Sequence, residues 1–344
     1  MIKVAVIGAT GYAGAMLVSL LSDVEDVELA YLASHSYAGE KYSDIYPAMR
    51  GVVDNTLEED DIQKAANVCD VMFLCLPAGI ASTAIDEGIL SKCKVIDLGA
   101  DYRLKNVEDY KTWYKKEHGH PELLKEAVYG LCEINREKIK TARLVANPGC
   151  YTTCSILTLY PLVAEKLIDT STIIIDAKSG VSGAGRSEKL ASLFCECNES
   201  IKPYGAMNHR HTPEIEEQLS YAAGEPIVLQ FTPHLVPMDR GILSSCYAKI
   251  KPGVSEADIA SAYAKYYKDE YFIRLSDKLP ETRFVKGSNS VDIAWRVDKR
   301  SGNLLAFGAI DNLIKGAAGQ AIQNMNIMFS LEESTGLKKG ADLP

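Results

Sequence analysis

The chain has 344 residues, 47% of them hydrophobic and 24% charged, ordinary figures for a globular protein of one large or two medium domains. Its formal charge of -9, with no clustered Lys and Arg, speaks against a nucleic-acid partner, and no stretch is long and apolar enough to cross a bilayer. Nine cysteines, an odd number with no C-x-x-C pair, fit thiols kept reduced, so a cytoplasmic location is expected. The apolar start 1–8 is too short for a secretory signal, and none is expected.

Residues 2–7 read as a strand, followed by Gly8-Ala9-Thr10-Gly11-Tyr12-Ala13-Gly14 and a helical pattern over 15–21. Glycines in that place allow a tight turn and a close approach of backbone N–H groups to a pyrophosphate, which then rests on the helix N-terminus. A second strand is expected at 27–32. At its end an NAD site usually carries Asp or Glu, whereas this chain has Ser34 and His35, which suit a 2′-phosphate and favour NADP. Strands at 71–76 and 95–98 with a helix at 81–90 continue the alternation, and Leu76-Pro77 would form the edge near the nicotinamide.

Asn147-Pro148-Gly149-Cys150-Tyr151-Thr152-Thr153 follows a short apolar strand at 142–146 and precedes a helical pattern at 155–163. A sulfur on such an elbow lies near the N–H groups of a helix N-terminus, whose partial positive charge favours thiolate over thiol. Cys150 is therefore the candidate nucleophile. Beyond it, strands are expected at 172–177, 227–234, 242–250 and 291–297, with helices at 213–222 and 257–268. The pattern predicts a long closing helix at 309–329 and a polar, unanchored tail from 332. The fold expected is α/β: an N-terminal Rossmann doubly wound parallel sheet, residues 1–149 with 312–344, and a second α/β domain on a mixed or antiparallel sheet, residues 150–311.

The dense titratable cluster Asn208-His209-Arg210-His211-Thr212-Pro213-Glu214 offers two histidines for acid/base work and a good helix start at Thr212. No Cys or His pair with zinc spacing accompanies them, so no metal is expected.

Six segments taken together resemble the N-acetyl-gamma-glutamyl-phosphate reductase family, relatives of aspartate-semialdehyde dehydrogenase. They are VAVIGATGYAGAMLVSLL at the start, LGADYRL around Asp101, NPGCYTT at Cys150, NHRHTPEI at His209, PHLVPMDRGIL from Pro233 and DNLIKGAAGQAIQNMN from Asp311. The sequence departs from the family pattern at Thr152, Cys154 and Met16, where proline or alanine, glycine or alanine, and glutamate are usual. The resemblance implies NADPH-dependent reduction of N-acetyl-gamma-glutamyl phosphate to N-acetylglutamate semialdehyde, a step of arginine biosynthesis, through a thioester on Cys150. His209 is then the first choice for acid/base work and His211 its rival. An anionic acyl phosphate needs local positive charge, for which Arg103, Lys178 and Arg186 are candidates, with Asn147 beside the elbow. Ser179-Gly180-Val181-Ser182-Gly183 is an anion-friendly loop for substrate and nicotinamide, and by resemblance Asn312 would meet the nicotinamide amide. Cys154 is close enough in sequence to pair with Cys150 under oxidation. The family suggests a homo-oligomer formed through the second domain. The alternatives are a reductase of another acyl phosphate, aspartyl or carrier-bound aminoadipyl, and a non-catalytic NADPH sensor.

Overall fold

The computed structural model describes residues 1–342 and divides into two compact units. The first comprises Met1–Pro148 and Ala317–Leu337; the second comprises Gly149–Gly316 and the described residues from Lys338 on. The chain thus re-enters the first unit at Ala317 rather than at 312.

In the first unit, strand β1 (Ile2–Ile7) leads into helix α1 (Tyr12–Leu21), followed by β2 (Val27–Ala33), β3 (Val71–Leu74) and β4 (Lys94–Asp97). Helix α2 (Val107–Tyr114), β5 (Val128–Tyr129), α3 (Cys132–Lys140) and β6 (Leu144–Ala146) complete it up to the elbow. All six strands are parallel, in the order β2-β1-β3-β4-β6-β5. The order reverses between β1 and β3, which places the ligand crevice of such a sheet beyond the carboxyl ends of these two strands. Val4, Ala5, Val6 and Ile7 are all inaccessible to solvent, so both faces of the sheet are covered. That is why these strands read as unbroken apolar runs rather than alternating ones.

The helix expected over 81–90 is two short ones, Ala81–Ala84 and Glu87–Leu90. Ile85 is extended, and the Asp86 carboxylate caps the second helix by accepting from the Ile89 N–H. β3 ends at Leu74, two residues before the expected position, and β5, α2 and α3 are additions to the sequence-based outline.

The second unit opens with α4 (Cys150–Ala164) and continues through β7 (Ile174–Ser179), β8 (Lys202–Pro203), α5 (Thr212–Ala223), β9 (Gln230–Leu235) and β10 (Ile242–Lys249). Helix α6 (Glu256–Tyr267) and strands β11 (Ile273–Leu275), β12 (Val291–Asp298) and β13 (Asn303–Ile310) follow. The sheet order is β11-β12-β13-β10-β7-β9-β8, with β7/β9 and β11/β12 parallel and the other pairs antiparallel, so the expected mixed sheet is present. Helix α4 packs on β10 and β13, and of its residues only Cys150, Tyr160 and Ala164 escape full burial. The approach is close because β13 carries Gly308 under the helix. A Cβ there would lie 2.0 Å from the Thr158 hydroxyl and 3.2 Å from the Cys154 sulfur.

The expected helix at 309–329 is corrected. Residues 303–310 are strand β13, and the helix proper, α7 (Gly319–Met328), begins after a π-helical turn at Ile314–Ala318. Asp311 ends the strand by accepting from the N–H groups of Leu313 and Ile314. In the first unit, Arg136 pairs with Glu333 and Leu337 is buried, so the start of the tail is tied down rather than unanchored.

Substituting Gly308→Ala should overpack the α4 interface and lower stability by about 1–3 kcal/mol, measured by urea unfolding. An unchanged midpoint would mean that the helix can move aside freely.

Candidate active site

In the first unit the turn after β1 is built on close backbone contacts. Gly8 has φ +81, and a Cβ on it would lie 2.6 Å from the Cys75 carbonyl oxygen; one on Gly14 would lie 2.2 Å from the Gly8 oxygen. Gly11 closes the turn by donating to the Gly8 carbonyl and then stands as N-cap of α1 without a side-chain capping bond. The N–H groups at the head of this helix, from Tyr12, Ala13 and Gly14, are in the arrangement that fits a diphosphate. Thr10 and Ser34 are buried and share a hydroxyl–hydroxyl bond of 2.7 Å, which fastens the turn to the end of β2. His35 is exposed beside them, near the Asp60 carboxyl, which burial pushes up.

Just beyond β3, Leu76 is half-buried and Pro77 is exposed. The segment after them is held by Asp101, which accepts from the N–H groups of Gly79 and Ser82 and from the Tyr110 hydroxyl. Asp97, fully buried at the end of β4, has its carboxyl pushed up to about 7 by burial and by the neighbouring Asp101 charge, with Arg103 opposing. Arg103 is buried too. Its Nε donates to the Asn147 carbonyl and its Nη2 to the Leu98 carbonyl, each at 2.8 Å. Asn147 is 1% exposed, and both ends of its amide make internal bonds: Oδ1 accepts from Asn324 and Nδ2 donates to the Ala317 carbonyl. Asn147 thus holds the scaffold through both ends of its amide, and Arg103 clamps the backbone with at least two of its donors.

In the second unit Cys150 is half-buried and forms the first residue of α4, with Gly149 as N-cap and no side-chain capping bond from it. The residue after it, Tyr151, is the hub of a ring cluster. Its ring lies edge-on to His209 at 5.7 Å, to His211 at 6.0 Å and to Phe231 at 5.4 Å between centroids. Its hydroxyl donates to the His234 carbonyl and accepts from the Tyr204 hydroxyl, and Tyr204 closes on His209 from another side at 5.4 Å. The structure therefore brings the two histidines together against the neighbour of Cys150. The Nδ1 of His209 accepts from the His211 N–H, so neutral His209 carries its proton on Nε2. Burial, and then the Arg210 charge, lower the His209 pKa to about 4.

Lys178 is half-buried and ion-paired to Asp176 at 2.9 Å, and Asp176 also faces the His234 ring nitrogen at 3.1 Å. Ser179 is buried, its hydroxyl donating to the Gly180 carbonyl. Gly180 packs so tightly on the Asp239 carbonyl that a Cβ would come within 2.6 Å. Asn312 donates to the Ser182 hydroxyl and accepts from the Gly241 N–H, so its amide ties loop 180–183 to the start of β10 instead of standing open to a nicotinamide. A Cβ on Gly183 would lie 2.9 Å from the Ser179 hydroxyl. Arg186 is exposed. The bidentate Arg240–Asp311 pair, the Asp101 hub, the Tyr151–Tyr204 pair and the buried Glu214 are features that the sequence reading did not assign.

None of the nine cysteines forms a disulfide; Cys154 is fully buried, which pushes its thiol up to about 12. Among the described residues no three His, Cys, Asp or Glu side chains gather to hold a metal ion, and no helix is long and apolar enough to cross a membrane.

Residues 3–142 match the family model of the semialdehyde dehydrogenase NAD binding domain, and residues 150–312 match the semialdehyde dehydrogenase dimerisation domain. The chain is 56% identical over 342 residues to an N-acetyl-gamma-glutamyl-phosphate reductase of Lachnospira eligens, covering 98% of each chain. It is 56% identical over 344 residues, 99% of each chain, to one of Campylobacter jejuni, and 50% identical over 339 residues, 98% of each, to one of Acetivibrio thermocellus. Among solved structures it is similar in fold to aspartate semialdehyde dehydrogenase II of Vibrio cholerae, with a TM-score of 0.71 and 17% identity over 96% of this chain and 98% of that one. It is similar also to the aspartate semialdehyde dehydrogenase of Candida albicans solved with NADP, with a TM-score of 0.67 and 19% identity over 96% and 98%. The chain belongs to the semialdehyde dehydrogenase family, and within it to the N-acetyl-gamma-glutamyl-phosphate reductases.

The lowered His209 pKa has a consequence for stability. An unfolded histidine binds its proton near pH 6.5 and folded His209 only near 4, so this group's contribution is fully present above about pH 6.5 and lost as pH falls from there towards 4. Urea unfolding of wild type and His209→Asn over pH 7 to 4 should show the wild type losing stability more steeply. Parallel curves would mean that His209 protonates in the fold as readily as in the unfolded chain.

Proposed function

We propose that this chain reduces N-acetyl-gamma-glutamyl phosphate to N-acetyl-L-glutamate 5-semialdehyde with NADPH, releasing phosphate, through a thioester on Cys150. The observation that carries the reading is the placement of Cys150 at the head of α4 with His209 and His211 both packed on the adjacent Tyr151. The names of the relatives, at 50–56% identity over nearly the whole chain, support the substrate.

The Cys150 sulfur attacks the acyl carbon, the bond to the phosphate oxygen breaks, and phosphate leaves with that electron pair, giving the thioester. NADPH, when bound, supplies a hydride to an electrophilic carbonyl carbon. Hydride addition leaves a thiohemiacetal oxyanion, which a hydrogen-bond donor must stabilise; as its electron pair re-forms the C=O bond the C–S bond breaks, which frees the aldehyde and returns the Cys150 thiolate. With a pKa near 4, His209 is neutral at pH 7 and serves the developing oxyanion through its Nε2–H. His211 is the second choice for this work.

The cofactor would lie with its diphosphate on the Gly8–Gly14 turn and the head of α1, in a first unit that acts as the NADP-binding domain. The second unit would carry catalysis and self-association. NADP is favoured over NAD because the residues that follow β2 are Ser34 and His35 rather than Asp or Glu. Lys178 and Arg186 would supply positive charge to the acyl phosphate, with Ser179 and loop 180–183 contributing hydroxyl and backbone donors. The exposed apolar side chains of Leu190, Phe194, Ile201 and Met207 and the description of the matched second domain support a homo-oligomer. Nine cysteines without a disulfide fit a reducing compartment such as the cytoplasm.

Cys150→Ser should abolish phosphate-dependent reduction of NADP by N-acetylglutamate semialdehyde while leaving NADP binding intact; retained turnover would rule out the covalent route. His209→Asn, whose amide oxygen can still accept from the His211 N–H, should lower kcat about 10²- to 10⁴-fold, far more than His211→Asn, and the reverse order would move the acid/base role to His211. His35→Asp should reduce kcat/KM for NADP about tenfold or more while sparing NAD. An unchanged NADP to NAD ratio would take the 2′-phosphate away from this residue.

A further inference from the structure

The first N–H groups of an α-helix have no partners within the helix, and a short polar side chain at the N-cap usually meets one of them. Helix α4 does without that device: Gly149 is its N-cap and has no side chain to offer. The N-cap's own N–H, by contrast, finds an acceptor from far along the chain. Glu214 Oε1 accepts from the Gly149 N–H at 2.9 Å and lies 2.8 Å from the Thr152 hydroxyl, which is itself 2.6 Å from the Gly149 carbonyl oxygen. The hydroxyl has one proton to donate, so it bonds to one of these oxygens at a time, and either choice closes a small ring around the backbone that carries Cys150.

Glu214 is wholly buried, where a carboxylate is costly unless hydrogen bonds compensate it. It also sits in the first turn of α5, directly after the segment that bears His209 and His211. The histidines meet Tyr151 through ring contacts, and Glu214 meets Gly149 and Thr152 through hydrogen bonds. The residues on both sides of Cys150 are therefore tied to the same short stretch of chain.

We propose that Glu214 is a positioning residue for the reaction: its acceptor oxygen fixes the head of α4, and with it the direction in which Cys150 presents its sulfur to the acyl carbon and to the histidine pair. The inference rests on the reading of Cys150 as nucleophile. What matters is the reach of the acceptor rather than the negative charge, and two substitutions separate these. Glu214→Gln keeps a carbonyl oxygen at the same distance and loses the charge. Glu214→Asp keeps the charge and draws the oxygen back by one methylene.

The experiment measures kcat and KM for the semialdehyde, the rate of alkylation of Cys150 by iodoacetamide, and the thermal midpoint for wild type, both Glu214 variants and Cys150→Ser. The expected result is Glu214→Gln within about threefold of wild type and Glu214→Asp reduced about ten- to a hundredfold in kcat. KM should stay within about threefold, and Cys150 alkylation in the Asp variant should slow in step with kcat. A role confined to stability would lower the thermal midpoint and leave kcat and alkylation alone, which would overturn the proposal. So would a Gln variant as slow as the Asp variant, since charge would then be at work. Turnover by Cys150→Ser would remove the nucleophile reading itself, whereas an inactive Cys150→Ser beside a fully active Glu214→Asp would remove only the role of Glu214. Should Glu214→Asp fail to fold, Thr152→Val replaces it: a kcat reduced severalfold at unchanged KM supports the proposal, and a wild-type kcat contradicts it.

Discussion

The constraint on which the rest of this structure depends is the passage of the main chain from one unit to the other at Pro148-Gly149, where backbone polar groups leave one sheet before a helix takes them up. A buried backbone group left without a partner costs about 1–3 kcal/mol, so each must be met. On the near side, the Asn147 N–H donates to the Asp97 carbonyl, its carbonyl accepts from Arg103, and its side chain bonds to Asn324 and Ala317. On the far side, the Gly149 N–H is met by Glu214. Each flank is pinned within its own unit, and Cys150 stands one residue beyond the second pin.

This explains why several polar residues that invite a ligand-binding reading are occupied elsewhere. Arg103, Asn147 and Asn312 lie close to where a substrate or cofactor was expected, and each spends hydrogen bonds on holding a turn. Lys178 differs in kind. Its partner Asp176 is half-exposed, and a pair of that sort contributes about 0–1 kcal/mol, so the Lys178 charge is not committed to the scaffold as those three side chains are.

How much of this was legible in the sequence follows from which groups speak for themselves. The turn at Gly8–Gly14 was readable because a backbone that approaches within 2.2 Å of a would-be Cβ admits only glycine. The elbow at Cys150 was readable because Pro148-Gly149 separates a strand from a helix. Residues 303–310 were not: β13 is paired on both sides and covered by α4, so its apolar residues run on into the Ala- and Gly-rich stretch before α7, and periodicity does not separate a buried central strand from a helix. Glu214 was seen only as part of a helix start, since nothing local tells that its oxygen reaches a backbone N–H 65 residues away. The same limit applies to Asn147 and Asn312, whose amides look identical in sequence whether they face a ligand or a carbonyl. The semialdehyde dehydrogenase family, by contrast, was legible from six motifs in order, and the matched domains bear it out.

The central claim is that the acyl group passes through a covalent bond to Cys150, and a single turnover without phosphate tests it most directly. Enzyme mixed with NADP and N-acetylglutamate semialdehyde in phosphate-free buffer should produce a burst of NADPH equal to the enzyme present and then stop. Intact-mass and peptide analysis should locate the N-acetylglutamyl group on Cys150, and added phosphate should release it and restart turnover. No burst, or a burst with Cys150 unmodified, would contradict the account.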